Sequence, residues 1–119
     1  MKVSFDFDST LSTKPMQELC AKFIKLGAEV YVTTTRRSGM NEGLVFKNED
    51  LFLVTDKLGI ARKNVTFTQY EDKHRFVKQF DMHFDDDMHE IYHINNYPTK
   101  CMGFLYEELQ NTDNGIKYY

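Results

Sequence analysis

The sequence predicts an α/β fold, a three-layer Rossmann-like arrangement with a central parallel sheet of about five strands and no cap domain. Short apolar runs alternate along the chain with longer segments in which apolar residues recur at helical spacing. The length of 119 residues suits one domain, and 41% hydrophobic residues are enough to form its core. Two of the apolar runs end in aspartates, at the edge where such sheets bind ligands.

The predicted strands are short runs of apolar, aromatic or β-branched residues, a composition that suits a buried strand. In chain order they cover residues 3–7, 29–34, 64–68, 82–84 and 100–105. The segment after the second strand, residues 36–43, carries Arg, Ser and Gly and is predicted to be a loop.

The predicted helices are marked by residues that start or stop helices. Pro15 suits the first turn of the first helix, which Gly27 ends. Asn48 can cap the second helix, which Gly59 stops. Two further segments have apolar residues at helical spacing and are predicted to be helices, residues 70–80 and 88–94.

The chain is predicted to form one core over residues 1–109 and a polar, loosely attached C-terminal tail over residues 110–119. Strand sequence begins at the N-terminus and no stretch approaches a membrane span, so we expect a cytoplasmic protein without a signal peptide or a membrane partner. The net charge of -3, without a basic stripe, argues against general nucleic-acid binding. Cys20 and Cys101 are predicted to be core thiols in a reducing compartment.

Two acidic segments follow predicted strands. Asp6 and Asp8 lie at the end of the first strand, and Asp85, Asp86 and Asp87 lie at the end of the fourth. The first segment alone equally suits a turn or a helix cap, and the second alone is better explained as a solvated helix N-terminus. Together at one sheet edge they would repel each other, and a hard divalent cation relieves such repulsion. The pattern therefore predicts a Mg²⁺ site.

The predicted metal ligands are Asp6, the backbone carbonyl of Asp8, and two acids of the second segment. Asp85 follows the strand directly and is the preferred main ligand. Asp86 is predicted to be a second ligand or an acceptor from bound water, and Asp87 to cap the next helix. A site one residue later, made by Asp86 and Asp87, is the alternative.

A threonine and a lysine lie between the acidic segments. The order is Asp6-Phe7-Asp8-Ser9-Thr10, then Thr34-Thr35-Arg36, then Lys73, then Asp85-Asp86. This order resembles the four motifs of the haloacid-dehalogenase-like phosphohydrolase superfamily, and the resemblance covers nearly all of the chain. Ser9 stands where that family often has Gly.

The resemblance implies a magnesium-dependent phosphatase that works through an aspartyl-phosphate. It assigns Asp6 as the nucleophile and Asp8 as the general acid and base. It implies that Thr34 donates a hydrogen bond to the phosphate and that Lys73 holds the nucleophile and a phosphate oxygen together. The remaining substrate-binding candidates are Thr10, Thr35 and Arg36.

The spacing of the motifs leaves no room for a cap domain over the site. An open site excludes water poorly by itself and favours substrates that bring their own surface. We therefore expect a phosphorylated macromolecule or a bulky phosphorylated small molecule, with nucleic acid only as a phosphorylated end. The protein is expected to be a monomer or a small homo-oligomer, in which a partner subunit can supply a lid.

Three other interpretations compete with the phosphatase. A phospho-receiver domain has a similar size and uses Asp, Thr, Lys and magnesium, but its paired acids come first and its lysine last. A non-catalytic magnesium-binding module stays open, because intact motifs do not establish turnover. His89 and His93 have the spacing of zinc ligands on a helix, yet neither His74 nor His83 stands out as a third ligand.

Overall fold

The fold is built around one six-stranded sheet, seen in a computed structural model that describes residues 1–38, 47–108 and 114–119. Its strands are β1 (Lys2–Phe5), β2 (Glu29–Thr34), β3 (Val65–Phe67), β4 (Met82–Asp85), β5 (Met102–Glu108) and β6 (Asn114–Tyr118). The helices are α1 (Lys14–Lys25), α2 (Glu49–Leu58) and α3 (Met88–Asn95). Of the predicted loop, residues 39–43 lie outside the described residues. The α/β prediction is confirmed, and the described residues contain no cap domain.

The order of the strands is β3-β2-β1-β4-β5-β6, with β1 to β5 parallel and β6 antiparallel to β5. The chain therefore moves outward from β1 in one direction and from β4 in the other. Phe5 pairs with Phe84, and the backbone N–H of Asp6 donates to the carbonyl of Phe84 at 2.8 Å. Both acidic segments consequently begin side by side at the switch point, where open α/β sheets bind ligands.

The two faces of the sheet are packed differently. Because successive residues of a strand point to opposite faces, each strand contributes to both. One face packs against α1 and α2 in a core that includes Val3, Phe5, Met16, Cys20, Val32, Leu51 and Phe84. The other face contacts the segment before β4 and helix α3, in a smaller cluster of Tyr31, Val77, Phe80, Ile94 and Cys101. Both cysteines are free and buried, as predicted.

Helix boundaries agree with the start and stop residues for α1 and α2. Gly27 and Gly59 follow the two helices with φ of +91° and +79°, the left-handed conformation that favours glycine. Asn48 occupies the N-cap position of α2 without a side-chain capping bond. Its side chain instead donates to the carbonyl of Arg37 at 2.9 Å and accepts from Arg36 at 3.3 Å.

The predicted helix over residues 70–80 is wrong. Gln69 and Tyr70 have φ of +57° and +71°, which no right-handed helix accommodates, and Lys73–Arg75 form only one 3₁₀ turn. Val77 and Phe80 still face inward, so the apolar spacing reflects burial in an irregular segment. The backbone of this segment delivers the Lys73 side chain to the carboxyl end of the sheet.

The predicted loose tail is also wrong for residues 114–118, while residues 110–113 lie outside the described part. Strand β6 pairs antiparallel with β5, and Leu105 lies opposite Lys117 in the register. An edge strand exposes unpaired backbone groups, and a polar strand can satisfy them without an apolar face of its own. Backbone pairing therefore adds the sixth strand where side-chain pattern gave no signal. None of the helices described is long and apolar enough to cross a membrane.

Gly103 provides a test of how closely α3 approaches β5. A Cβ built at this position would lie 3.2 Å from Cδ1 of Ile91 and 3.3 Å from both Cγ2 of Ile94 and Oδ1 of Asn95. We expect Gly103→Ala to lower the free energy of unfolding by about 1–3 kcal/mol through overpacking, measured by urea titration. Met102→Ala, at a side chain that is 45% exposed, should cost less. Equal losses in the two variants would contradict this close packing.

Candidate functional site

A cleft of about 420 Å³ lies at the carboxyl ends of β1 and β4. It is lined by residues from both acidic segments together with Ser9, Thr35, Lys73, Met88 and Glu90. A larger groove of about 750 Å³ adjoins it and shares Asp8 and Thr35 with it. The topology thus collects residues from four separate parts of the chain at one opening.

Lys73 bridges the two acidic segments inside this cleft. Its Nζ lies 2.6 Å from Oδ1 of Asp6 and 2.7 Å from Oδ2 of Asp85, and all three side chains are almost fully buried. The backbone N–H of Lys73 donates to Oε2 of Glu90 at 3.0 Å, which fixes the start of the 3₁₀ turn. Burial acts to lower the pKa of Lys73, but the charges of the two carboxylates outweigh it and raise the pKa. The ammonium therefore stays charged.

The two bridged carboxylates differ in their proton affinity. Burial and the charge of Asp85 raise the pKa of Asp6 well above its usual value, despite the contact with Lys73. Burial also acts to raise the pKa of Asp85, but a hydrogen bond from His83 and the charge of Lys73 lower it to about 2. The physical reason is that Asp85 has more hydrogen-bond donors than Asp6.

Asp6, Asp85 and Asp86 each offer a carboxylate oxygen within 4.8 Å of the others, which is a spacing that suits one metal ion. Thr10 Oγ1 lies between two of them, 3.2 Å from Oδ2 of Asp6 and 3.3 Å from Oδ1 of Asp86, and its single proton is shared between these acceptors. Three carboxylates against one ammonium leave an excess of negative charge. Oxygen donors with that excess fit Mg²⁺, a hard cation.

Asp87 belongs to the helix and not to this group. Its carboxylate accepts from the backbone N–H of His89 at 2.9 Å and caps α3, as predicted. The geometry therefore favours Asp85 with Asp86 over Asp86 with Asp87 as the acidic pair.

The carboxylate of Asp8 points away from the acidic group and pairs with Arg36. Nη2 of Arg36 lies 2.6 Å from Oδ1 of Asp8, and Nε lies 2.9 Å from Oδ2. The same guanidinium contacts both carboxylate oxygens of Asp50 at 2.8 and 2.9 Å. The Asp8 side chain is more than half exposed, so this pair lies at the rim of the cleft.

The divergence of Asp6 and Asp8 comes from a tight turn over Phe7–Leu11. Ser9 has φ of +58°, the left-handed region that glycine adopts most easily. The backbone N–H of Leu11 donates to the carbonyl of Asp6 at 3.0 Å and closes the turn. A regular strand would aim both carboxylates the same way, and this turn separates them.

The threonines at the end of β2 divide between different environments. Thr34 is fully buried, and its Oγ1 accepts from the backbone N–H of Arg36 at 3.3 Å. Thr35 lines both the cleft and the adjoining groove. The geometry thus favours Thr35 over the predicted Thr34 as a hydroxyl that a ligand can reach.

Two site residues were missed by sequence reasoning. His83 lies under Asp85, with Nε2 at 2.8 Å from Oδ2, and Glu90 accepts from the backbone of Lys73. His83 is two residues before Asp85 in the same strand, so both side chains point to the same face. This spacing could have identified His83 as a site residue. Glu90 gave no such signal, because its role depends on how α3 packs.

The other histidines pack against one another, His89 edge-on to His93 and His74 stacked on His93. The ring centroids of His89 and His93 are 4.3 Å apart, and those of His74 and His93 are 5.7 Å apart. Among the residues that the structure describes, the metal-binding geometry is found at the three aspartates and includes no histidine. The zinc interpretation therefore receives no support.

No protein-family model matches the chain, and a comparison with curated proteins finds no significant match.

The raised pKa of Asp6 predicts a pH dependence of stability. A group whose pKa is raised by folding contributes stability at low pH, and this is lost as pH rises through the raised value. The metal-free protein should therefore lose more stability between about pH 4 and about pH 7 than Asp6→Asn does, measured by urea titration in chelator. Asp56→Asn is the control, because Arg62 lowers the pKa of Asp56 and places its titration below this range. An equal loss of stability over this pH range in the wild type and in Asp6→Asn would contradict a raised pKa of Asp6.

Proposed function

We propose that the protein is a magnesium-dependent phosphomonoester hydrolase of the haloacid-dehalogenase-like type, acting through an aspartyl-phosphate. The observation that carries the proposal is the placement of Asp6. Its carboxylate lies in an open cleft, contacts the Lys73 ammonium at 2.6 Å and lies beside the acids Asp85 and Asp86. This combines a nucleophile, a fixed cation and a metal-binding group within one opening.

In the first step a carboxylate oxygen of Asp6 attacks phosphorus, and the bond from phosphorus to the leaving oxygen breaks. Asp8 gives its proton to that oxygen. In the second step water attacks the phosphoryl group, Asp8 takes a proton from the water, and phosphate leaves Asp6. Asp6, Asp85 and Asp86 would hold Mg²⁺, which would supply positive charge toward the phosphoryl oxygens. Lys73 supplies a second, fixed positive charge there.

The acid and base role requires Asp8 to exchange its partner. Arg36 holds the carboxylate of Asp8 in two hydrogen bonds. A phosphate dianion entering the cleft offers Arg36 another bidentate partner. We infer that Arg36 binds the substrate phosphate together with Thr35, and that Asp8 is thereby released toward the leaving oxygen.

The adjoining groove supports a bulky substrate. Tyr70 is 66% exposed on its wall, and the Arg37 guanidinium lies 5.3 Å from the centre of its ring. Arg37 and Lys47 also line the groove and bring positive charge to it, beside the acidic Asp8, Glu49 and Asp50. A phosphorylated macromolecule can place its phosphate in the cleft and its neighbouring surface in the groove. Both cysteines are free, which supports the cytoplasmic location that we propose, because reducing compartments keep thiols unpaired.

A non-catalytic magnesium-binding module is the second candidate, favoured by the pairing of Asp8 with Arg36 in the structure. A phospho-receiver domain is not proposed. Those domains have the flavodoxin-like strand order 2-1-3-4-5, whereas β1 here lies between β2 and β4.

The test of the proposal is loss of turnover in isosteric variants. Asp6→Asn should abolish magnesium-dependent hydrolysis of an aryl phosphate, because an amide is not a nucleophile. Asp8→Asn should lower kcat by about a hundredfold to ten-thousandfold through loss of proton transfer. Asp87→Asn, which retains a helix cap, should stay active. Near-wild-type turnover in folded Asp6→Asn, checked by circular dichroism, would exclude this mechanism. A wild type that binds magnesium without turnover would indicate the non-catalytic module.

Magnesium should stabilise the fold through the acidic group. At about a hundred times its Kd, the ion should add roughly 2.7 kcal/mol to the free energy of unfolding and raise the Tm by several degrees. Asp86→Asn should remove most of this response with little effect on metal-free stability, since Asp86 is exposed. Asp87→Asn, at the neighbouring residue, is the matched control and should retain the magnesium response. Thermal melts of each protein, with magnesium and with chelator, measure the magnesium response and the metal-free stability. A full response in Asp86→Asn would place the ion elsewhere.

Substrate size should affect the rate through the groove. We expect kcat/KM to rise from an aryl phosphate to a phosphorylated peptide or a phosphate-terminated oligonucleotide. Tyr70→Ala should lower kcat/KM several-fold for the larger substrates and leave the aryl phosphate unchanged. A strong preference for a small phosphomonoester, or an equal effect of Tyr70→Ala on all substrates, would contradict the role of the groove.

A further inference from the structure

A chain of four buried polar side chains crosses the sheet behind the cleft. Oγ1 of Thr33 on β2 lies 2.8 Å from Oγ of Ser4 on β1, and that Oγ lies 3.0 Å from Nδ1 of His83 on β4. Nε2 of His83 lies 2.8 Å from Oδ2 of Asp85. Thr33, Ser4 and His83 are fully buried and Asp85 is 1% exposed. Polar groups at this depth require complementary partners, so the chain has a fixed direction.

The direction follows from the chemistry of its last member. An ionised carboxylate only accepts, so Nε2 of His83 must carry a proton and donate to Asp85. The ring is fully buried and the Oδ2 that it contacts already binds the Lys73 ammonium, so a second cation is disfavoured there and the neutral ring leaves Nδ1 as an acceptor. Ser4 therefore donates to His83, and Thr33 donates to Ser4. Thr33, Ser4 and Asp85, on three strands, thus select the tautomer of His83 that carries its proton on Nε2.

This hydrogen bond distinguishes the two oxygens of Asp85. Oδ2 accepts from both His83 and the Lys73 ammonium, which uses its two lone pairs. Within the part of the chain that the structure describes, Oδ1 accepts only from the backbone N–H of Asp87, at 3.1 Å. Oδ1 is therefore the oxygen with capacity left for a cation.

The same residues have the composition of a serine–histidine–aspartate catalytic triad, but their burial excludes that role. Ser4 is fully buried in β1, so no substrate reaches its hydroxyl.

We propose that His83 is a positioning residue for Asp85. As the Nε2–H tautomer set by Ser4 and Thr33, it shares Oδ2 with Lys73 and so presents Oδ1 of Asp85 to the cation. The cation in this inference rests on the proposed function, while the tautomer and the orientation of Asp85 do not. Partners behind a ligand commonly change metal affinity by about ten- to a hundredfold.

The first measurement is the imidazole ¹⁵N spectrum of the full chain in chelator at neutral pH. We expect His83 to show a protonated Nε2 and an unprotonated Nδ1. The second compares two amides at position 83 by calorimetric titration with Mg²⁺. His83→Gln carries an amide nitrogen about as far from the backbone as Nε2, so it should retain affinity within a few-fold. His83→Asn reaches only about as far as Nδ1 and should weaken binding by about tenfold or more.

Several outcomes would overturn the proposal. A His83 with its proton on Nδ1 would do so, and so would equal magnesium affinity in the wild type, the Gln variant and the Asn variant. If the Asn variant does not fold, a Gln variant with a tenfold loss of affinity would overturn it as well. A wild type without magnesium affinity would remove the proposed function, and the tautomer in chelator would still decide whether His83 orients Asp85.

Discussion

The Lys73 ammonium, shared by Asp6 and Asp85, is the interaction on which the rest of the structure depends. The sheet topology places two buried carboxylates side by side at the switch point, and one cation between them compensates their repulsion. The irregular backbone of residues 70–80 carries this lysine: Tyr70 has φ of +71°, which a regular helix does not accommodate, and Lys73 begins a single 3₁₀ turn. Glu90 then fixes the lysine backbone to α3. The contacts of Lys73 thus connect parts of the fold and balance the charge of the site at the same time.

Asp6 and Asp85 share the Lys73 ammonium, yet their pKa values shift in opposite directions. Asp85 receives hydrogen bonds from His83, Lys73 and the backbone of Asp87, and its pKa is lowered to about 2. Asp6 receives them from Lys73 and Thr10 alone, and burial raises its pKa. An anion that is well solvated by the protein suits a ligand role. An anion that is poorly solvated is more basic and suits attack on phosphorus.

The second charge centre, at the rim, has the opposite character. Asp8, Arg36 and Asp50 form an ion-pair network in which both carboxylates are more than half exposed. Exposed pairs are weak because solvent screens them, so their partners exchange at low cost. The buried centre holds its geometry, and the exposed centre can rearrange. That contrast supports a division of the proposed reaction between a fixed nucleophile and a movable acid and base.

The sequence by itself determined the α/β class, the first five strands, the limits of α1 and α2, and the placement of both acidic segments at strand ends. These features depend on local pattern, such as the glycines after α1 and α2 or the apolar run before Asp85. The Asp87 cap is local in the same sense. Apolar spacing alone failed at residues 70–80, because it reports burial and not backbone conformation.

Only the tertiary structure decided which of the predicted residues meet. The turn at Ser9 sends Asp8 to Arg36. Thr35, the residue after β2, lines the cleft while Thr34 stays buried. Strand β6 depends on the free edge of β5, which no local pattern encodes. The hydrogen bonds of His83 depend on neighbours from β1 and β2. Each is a contact between residues distant in sequence, so its energy exists only after the strands have paired.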